Sequence, residues 1–338
     1  MNNIVEVLKA FESCKFVKGF TKAVIYDLQR YSYYEVPNSL IDFLKDGEGK
    51  SKLSIINQYP GIEKKYAQEY LNFLLDKEIV FFTDTPENYT PISDNFETPY
   101  LITNGIIDRD SNSSYSFQDV VSQFEKLKCE ALEIRYFDNI GYNDLKKQLE
   151  FLEFMSFRSI DLILKHDESQ PIKRFVNFIN KNDIFNRILI HSKPDTIPEV
   201  KNQCWKISYT SANISNETHC GVINKENFIV NDLFFRESKT HNNCLAYKLS
   251  VDRFGNIKNC PSTSIIFGNV DSLSLEQSLS NKDFKKYWYI NKDVISDCKI
   301  CEYRYMCTDC RAYSLDSSDG NLNKPQKCNY DPFEGNWI

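Results

Sequence analysis

Long apolar runs are missing from this 338-residue chain, blocks of Lys and Arg are missing too, and glycine is scarce at eleven residues. No stretch approaches the roughly 20 apolar residues of a membrane span, so no membrane role is expected. The net charge is −6, with 41 Lys+Arg set against 47 Asp+Glu and no basic cluster, which leaves a nucleic-acid role without an electrostatic footprint. Gly105 and Gly141 stand alone, so a glycine-rich phosphate loop of Rossmann or P-loop type is not expected. The opening residues, MNNIVEVLKAFESCKF, are amphipathic and contain acids. They lack the basic start and continuous apolar segment of a secretory signal, and the expected compartment is the reducing cytoplasm.

Cysteine is absent between Cys14 and Cys129, yet seven of the eleven cysteines fall between Cys244 and Cys328. An odd number of thiols in a reducing compartment argues against a disulfide framework. Cys14, Cys129 and Cys204 are flanked by apolar residues and read as buried structural thiols. The C-terminal cysteines follow a pattern: C-x10-G-x4-C (Cys244, Gly255, Cys260), then C-x2-C-x5-C-x2-C (Cys298, Cys301, Cys307, Cys310), then Cys328. A zinc ribbon places about 15–20 residues between its two C-x2-C pairs, and here only five separate Cys301 from Cys307. The spacing is closer to that of ferredoxins, in which the fourth cysteine of a run serves a different cluster. Divided that way, Cys298, Cys301, Cys307 and Cys328 hold one [4Fe–4S] cluster, and Cys310 joins Cys244 and Cys260 at another. Thiolate-only sites also suit zinc, so Zn2+ stays open as the alternative.

Ahead of the cysteines the chain divides in two. Residues 14–36 are dense in β-branched and aromatic residues with polar breaks near Lys18-Gly19 and Gln29-Arg30, which predicts three strands. Pro37 and Gly61 each open a helical stretch, and on the second Tyr66, Tyr70, Phe73 and Leu74 share a face. A short strand at Ile79–Phe82 closes this unit, and three prolines between 86 and 99 mark a linker. From Tyr100 onward, strands are predicted at Leu101–Ile107, Leu132–Phe137, Ile160–Leu164, Ile188–Ile190, Trp205–Tyr209 and Phe228–Val230. Helices are predicted at Phe117–Lys128, Asn143–Met155 and Pro171–Asn182. Alternating βα units argue for a parallel sheet, open or partly closed into a barrel, and the apolar runs at Ile160 and Ile188 for cover on both faces. His166 and His191 each end a strand, where hydrogen-bonded or surface histidines are commoner than catalytic ones. Residues 244–260 predict a hairpin turning at Gly255, and a helix is predicted over roughly Ser274–Tyr289.

The cysteine pattern with its Gly255 resembles the SPASM domain of peptide-modifying radical SAM enzymes. It departs in one place, with two residues instead of three between Cys307 and Cys310. The strings HCGVIN, NNCLAYKLSVDRFGNIKNCPS and CKICEYRYMCTDCRAYS look like the SPASM-domain peptide maturases of grasp-with-spasm systems, which accompany an ATP-grasp ligase and a short precursor peptide. The resemblance implies an α/β chain of three parts. They are an N-terminal winged-helix-like (PqqD-like) precursor-peptide recognition domain over residues 1–90, a partial (β/α) barrel of radical SAM type over 97–240, and a cysteine-rich SPASM domain over 241–338. It implies peptide addition beside the third strand, with Tyr31, Tyr33, Tyr34 and Val36 on that strand and Tyr66 and Tyr70 on the facing helix. It implies two [4Fe–4S] clusters, the first with Cys244, Cys260, Cys310 and a variable fourth position, for which Cys220, His219 and His241 are available and Cys220 is preferred. A radical SAM enzyme also needs C-x3-C-x2-C after its first barrel strand, where this chain reads DRDSNSSYSF. S-adenosylmethionine cleavage is therefore not expected, and whether the chain itself catalyses stays open. Maturation of a precursor peptide beside an ATP-grasp ligase is the leading expectation. An enzyme acting at an open cluster site, or a zinc-stabilised interaction scaffold, are the alternatives.

Overall fold

The computed structural model describes residues 5–169, 172–194, 204–314 and 322–338. Pro171, the expected start of the third helix, lies outside these, as do residues 1–4 of the N-terminal unit.

The N-terminal unit runs β1 (Val7–Ala10), β2 (Cys14–Lys18), β3 (Ala23–Asp27), β4 (Ser32–Val36), α1 (Asn38–Gly47), α2 (Lys52–Asn57), α3 (Gly61–Asp76) and β5 (Val80–Thr83). β2, β3 and β4 form an antiparallel three-stranded sheet in that order, with β4 at its edge. β1 pairs with β5 as a separate ribbon, a pairing that the short, mixed VLKA segment does not announce. β3 is buried along its whole length, and the alternation of a strand sends its side chains to two cores. Ala23 and Ile25 pack with the helices, whereas Val24 and Tyr26 pack against Tyr303, Met306 and Tyr330 of the C-terminal region. The packed stripe of α3 is Ala67, Leu71 and Leu74, with Tyr70 and Phe73 at its margin; Tyr66, expected on that face, is 55% exposed. The linker is strapped down at Asp94, which takes ion pairs from Lys15 and Lys239 at 2.9 and 2.6 Å.

The middle of the chain alternates β6 (Asn104–Arg109), α4 (Phe117–Lys126), β7 (Ala131–Tyr136), α5 (Tyr142–Leu152), β8 (Ser159–Lys165), α6 (Ile172–Lys181), β9 (Phe185–His191) and β10 (Ile207–Tyr209). After α7 (Asp232–Thr240) come β11 (Lys248–Val251), β12 (Asn256–Lys258), β13 (Gly268–Asn269), α8 (Leu275–Leu279), β14 (Tyr330–Asp331) and β15 (Asn336–Trp337). The result is a mixed α/β chain around an eight-stranded sheet of order β10-β9-β8-β7-β6-β11-β12-β13. It is parallel from β10 through β11 and antiparallel from there to β13, an open sheet of the kind a partial barrel requires. The predicted hairpin is present, turning at Gly255 with φ +79°, and β11 runs parallel to β6, so residues on both sides of position 241 share one sheet.

The helix-bearing face of this sheet buries Leu132, Ile134, Ile160, Leu162, Leu249 and Val251 against Val120, Val121 and Phe124 of α4 and Leu145 and Leu149 of α5. Gly105 serves this packing, since a Cβ there would lie 2.7 Å from both Leu132 and Phe124. On the opposite face a small apolar cluster forms among the described residues, of Phe137, Ile163 and Ile214 with Leu189.

Two predicted elements are corrected. Phe228–Val230 is not a strand: its Ile229 amide bonds the Met306 carbonyl at 2.9 Å, and Asn231 then caps α7, a helix the sequence reading missed. The helix expected over 274–289 ends at Leu279. Beyond it the Asn281 side chain takes the Asp283 amide at 3.0 Å, and such local bonds compete with the helical ladder. Among the described residues no helix is long and apolar enough to cross a membrane.

Candidate metal centres

The polar face of the sheet begins as a pattern on adjacent strands. β6 and β7 pair Asp108 with Arg135 and Ile106 with Glu133, and β11 sets Lys248 opposite Asn104. Because side chains alternate, Asp108, Arg135, Glu133 and Lys248 project on one face, away from the helices. Arg135 is fully buried and grips Asp108 through Nε at 2.5 Å and Nη2 at 2.8 Å. Burial pushes the Asp108 carboxyl up to about 6 even though the Arg135 guanidinium pulls it down.

Four sulfurs gather over this face. Cys220 follows a 3₁₀ turn, Glu217–His219, that Asn216 caps; Cys244 precedes β11; Cys260 follows β12; and Cys310 comes from the C-terminal loop. Arg135 Nη1 lies 3.2 Å from Cys220 Sγ, and Lys248 Nζ lies 3.8 Å from Cys244 Sγ. Burial and the neighbouring Cys244 push the Cys260 thiol up to about 11, against the pull of Lys248. Burial, Cys244 and Cys260 push Cys310 up to about 12. Burial also holds the Lys248 ammonium down, but the adjacent Cys244 and Cys260 sulfurs outweigh it, so its pKa is raised. Gly221, at φ +83°, lets the Cys220 segment approach: a Cβ there would sit 2.9 Å from Cys310 Sγ and 2.8 Å from the Tyr313 ring.

The second group is Cys298, Cys301, Cys307 and Cys328. Cys298 opens a 3₁₀ turn whose last bond brings the Cys301 amide to the Cys298 carbonyl at 3.0 Å. Burial raises the Cys298 thiol, with Asp309, Cys307 and Cys328 adding to it and Lys292 opposing. The Cys307 thiol is pushed up to about 12 by burial, against Lys292, with Cys328 and Asp309 adding. Lys292 is buried and bonds the Cys307 carbonyl. Cys244 and Cys220 act on Cys260, Cys244 and Cys260 on Cys310, and Cys307 with Cys328 on Cys298.

Asp309 stands at the divide, fully buried between Cys307 and Cys310. Its carboxylate accepts from Asn242 Nδ2 at 2.7 Å and from Arg311 Nε and Nη2 at 3.0 and 2.7 Å. Its amide donates to Asn243 Oδ1 at 3.1 Å, and Asn243 Nδ2 donates to the Cys307 carbonyl at 2.9 Å. Asn242 Oδ1 in turn accepts the amides of Cys244 and Leu245, so one network fixes loops from both groups.

The donor set suits soft metal chemistry, since thiolates dominate iron–sulfur and structural zinc sites. Among the described residues, no three His, Cys, Asp or Glu side chains close on one point as a lone metal ion requires. His219 donates Nδ1–H to the Asn216 carbonyl at 2.8 Å, which leaves the Nε2 lone pair 3.7 Å from Cys220 Sγ. His241 is engaged elsewhere: Thr240 and Tyr247 take its ring nitrogens, and Phe96 and Tyr289 pack on the ring. His191 is buried with Nε2 facing the Tyr136 carbonyl at 3.2 Å, a structural arrangement, and His166 is partly buried at the end of β8. Cys14 and Cys129 lie in apolar cores, and Cys204 packs at the margin of one.

Of the residues expected to meet a peptide, Tyr33 packs on Phe228 and Tyr303, and Val36 is buried among the helices. Tyr34 faces Phe73 with Lys77 over its ring, Tyr70 bonds Ser39 at 2.7 Å, and Tyr31 and Tyr66 are exposed. Sequence reasoning missed Asp108, Arg135, Lys248, Lys292, Asp309 and Gly221. Arg135 was within reach, because Glu133 and Arg135 alternate with Leu132 and Ile134 in ALEIRY at the period of a strand with one polar face.

No family model matches the chain, and no curated protein matches it. Among solved structures it is similar to the crystal structure of Streptococcus suis SuiB bound to precursor peptide SuiA. The identity is 9%, the match covers 96% of this chain and 100% of that one, and the TM-score is 0.36.

Proposed function

We propose that this chain takes part in the maturation of a ribosomally made peptide, binding the precursor at its N-terminal unit and holding two thiolate-ligated [4Fe–4S] clusters. The observation that supports the reading is the placement of half-buried and buried thiols beside cations, with Cys220 Sγ against Arg135, Cys244 Sγ against Lys248, and Lys292 bonded to the Cys307 carbonyl. Cys244, Cys260, Cys310 and Cys220 would hold the first cluster, with Lys248 and Arg135 offsetting thiolate charge. Cys298, Cys301, Cys307 and Cys328 would hold the second, with Lys292 beside them. Such clusters, each with four thiolate ligands, supply electron transfer or a structural clamp when bound.

The chain's own residues do the rest. β4 pairs with no second strand among the described residues, and its free edge is where an extended peptide would add as a strand. Tyr31, Tyr34 and Tyr66 supply contact surface around that edge, whereas Tyr33 and Val36 hold β4 in place from its two faces. The segment after β6 that would carry a radical-generating motif instead forms a hydrogen-bonded turn, with Asp110 accepting from Asn112 and Arg253, and Asp138 accepting from Ser111. We therefore assign binding and presentation of the peptide to an ATP-grasp ligase, without S-adenosylmethionine cleavage.

Anaerobic purification followed by iron, sulfide and zinc analysis tests the metal assignment. Iron and sulfide in equal amounts are expected, and stoichiometric zinc without sulfide would replace clusters by zinc. Incubation with S-adenosylmethionine is expected to give no 5′-deoxyadenosine, and its formation would overturn the last assignment.

A further inference from the structure

The second cysteine group is also the seat of the three-stranded sheet. The Phe20 amide, in the turn between β2 and β3, donates to the Ile300 carbonyl at 2.9 Å. Arg304 Nη1 reaches back to the Lys18 carbonyl at 2.9 Å while also holding the Cys301 carbonyl at 2.8 Å. The fully buried Tyr26 hydroxyl donates to the Glu302 carbonyl at 2.7 Å and takes the Tyr305 amide at 3.4 Å. From β4, Glu35 accepts the Tyr303 hydroxyl at 2.6 Å. The turn fits tightly, since a Cβ on Gly19 would lie 2.9 Å from the Glu302 amide. Every one of these contacts falls on residues 300–305, between Cys298 and Cys307.

That loop has little structure of its own. Apart from one 3₁₀ turn it is irregular, held by short-range bonds such as Arg304 N to Cys301 O at 3.4 Å and Cys307 N to Tyr303 O at 3.1 Å. A loop of this kind takes its order from what its ends are tied to, and metal binding to such ligands is coupled to folding. The ends here are Cys298 and Cys307, with Cys301 inside the loop, three of the four cysteines of the second group.

On the reading of this group as a metal site, we infer that its occupancy orders the β2–β4 sheet and so switches on the peptide-binding edge. The metal at this site acts on recognition through position, and the first site does not share the role. Cys244 and Cys260 flank the β11–β12 hairpin of the central sheet, and Cys220 and Cys310 lie outside the 298–307 loop.

Hydrogen–deuterium exchange on the full-length chain tests this, with metal analysis on the same samples. Four proteins are compared: anaerobically loaded wild type, a Cys244→Ser/Cys260→Ser double variant, a Cys298→Ser/Cys328→Ser double variant, and Tyr26→Phe. In the second-site variant, amides of residues 14–36 are expected to exchange about tenfold faster or more, the scale of losing a buried hydrogen bond. In the first-site variant they stay as protected as in wild type, and amides of β7 and β8 stay protected in all four. Unchanged protection of 14–36 with the second site shown empty overturns the coupling while leaving the metal reading intact. Metal absent from loaded wild type removes the metal reading and the coupling with it. If the second-site variant loses β7 and β8 protection as well, Tyr26→Phe decides: faster exchange at 14–36 with full metal content supports the coupling, and unchanged exchange refutes it.

Discussion

Gly221→Ala is the sharpest test of whether Cys220 belongs with Cys244, Cys260 and Cys310. The wild-type residue sits at φ +83°, where an L side chain costs about 1–2 kcal/mol. The added methyl would also meet Cys310 Sγ at 2.9 Å and Tyr313 Cδ2 at 2.8 Å, and overpacking of this kind costs about 1–3 kcal/mol more. The sum, roughly 2–5 kcal/mol, is a sizeable part of the ~5–15 kcal/mol that holds a typical chain folded. The strain has one easy exit, because the 3₁₀ turn before Cys220 is only partly buried and can back away from Cys310. That movement withdraws Cys220. The expected result is a protein that folds and keeps its second-site metal, yet loses first-site metal early under chelator challenge, followed by metal analysis and thermal unfolding. Cys220→Ser should reproduce the early metal loss without the conformational strain. A Gly221→Ala protein with wild-type chelator resistance at both sites, and a Tm within roughly 1 °C of wild type, would refute the close approach and the ligand assignment together.

Three further outcomes follow from single residues. Burial raises the Glu35 carboxyl, but bonds from Lys22, Lys225 and Tyr303 outweigh it and bring it to about 2, below the ordinary value of about 4.3. A depressed carboxylate stabilises the fold above its unfolded pKa and loses that contribution as pH falls from about 4.3 toward 2. Because Glu35 is exposed, the effect is screened to about 1 kcal/mol or less, and Glu35→Gln should flatten the pH dependence of unfolding in that window. Gly105→Ala should cost about 1–3 kcal/mol in denaturant unfolding, because its methyl would overlap Leu132 and Phe124. Asp309→Asn keeps a partner for Asn242 but removes the carboxylate charge that Arg311 Nε and Nη2 hold, a loss of about 1.5–3 kcal/mol that a chemical denaturation curve should show.

The elements with strong local grammar were legible. The βα alternation from Tyr100 onward and the hairpin at Gly255 rest on periodicity and turn chemistry that act within ten or so residues. Contacts that depend on distant partners were not. β1 owes its existence to β5, some seventy positions away, and nothing in VLKA announces it. Tyr66 sits on the helical repeat of Tyr70, but the smaller Ala67 is the residue that lets α3 lie close. The cysteine spacing separated two groups without revealing what lies beneath them. Lys248 joins Arg135 on the same polar face only because β11 returns to pair with β6 across 144 positions.

The short link from Cys307 to Cys310 gains its meaning from the same long-range geometry. Two intervening residues leave the chain little freedom, yet one cysteine must face Lys292 and Cys328 while the other faces Cys244 and Cys260. Asp309 settles the direction of each. Its carboxylate is held by Asn242 from the loop that leads to Cys244, and its amide by Asn243, whose own side chain anchors the Cys307 carbonyl in the second. Neighbouring asparagines therefore grip the link from both sides, one on each polar group of the Asp309 residue. A longer link would slacken that grip, so the two-residue spacing and the Asn242-Asn243 pair form a matched set. A single inserted residue after Thr308 should uncouple the two sites more severely than loss of either asparagine alone.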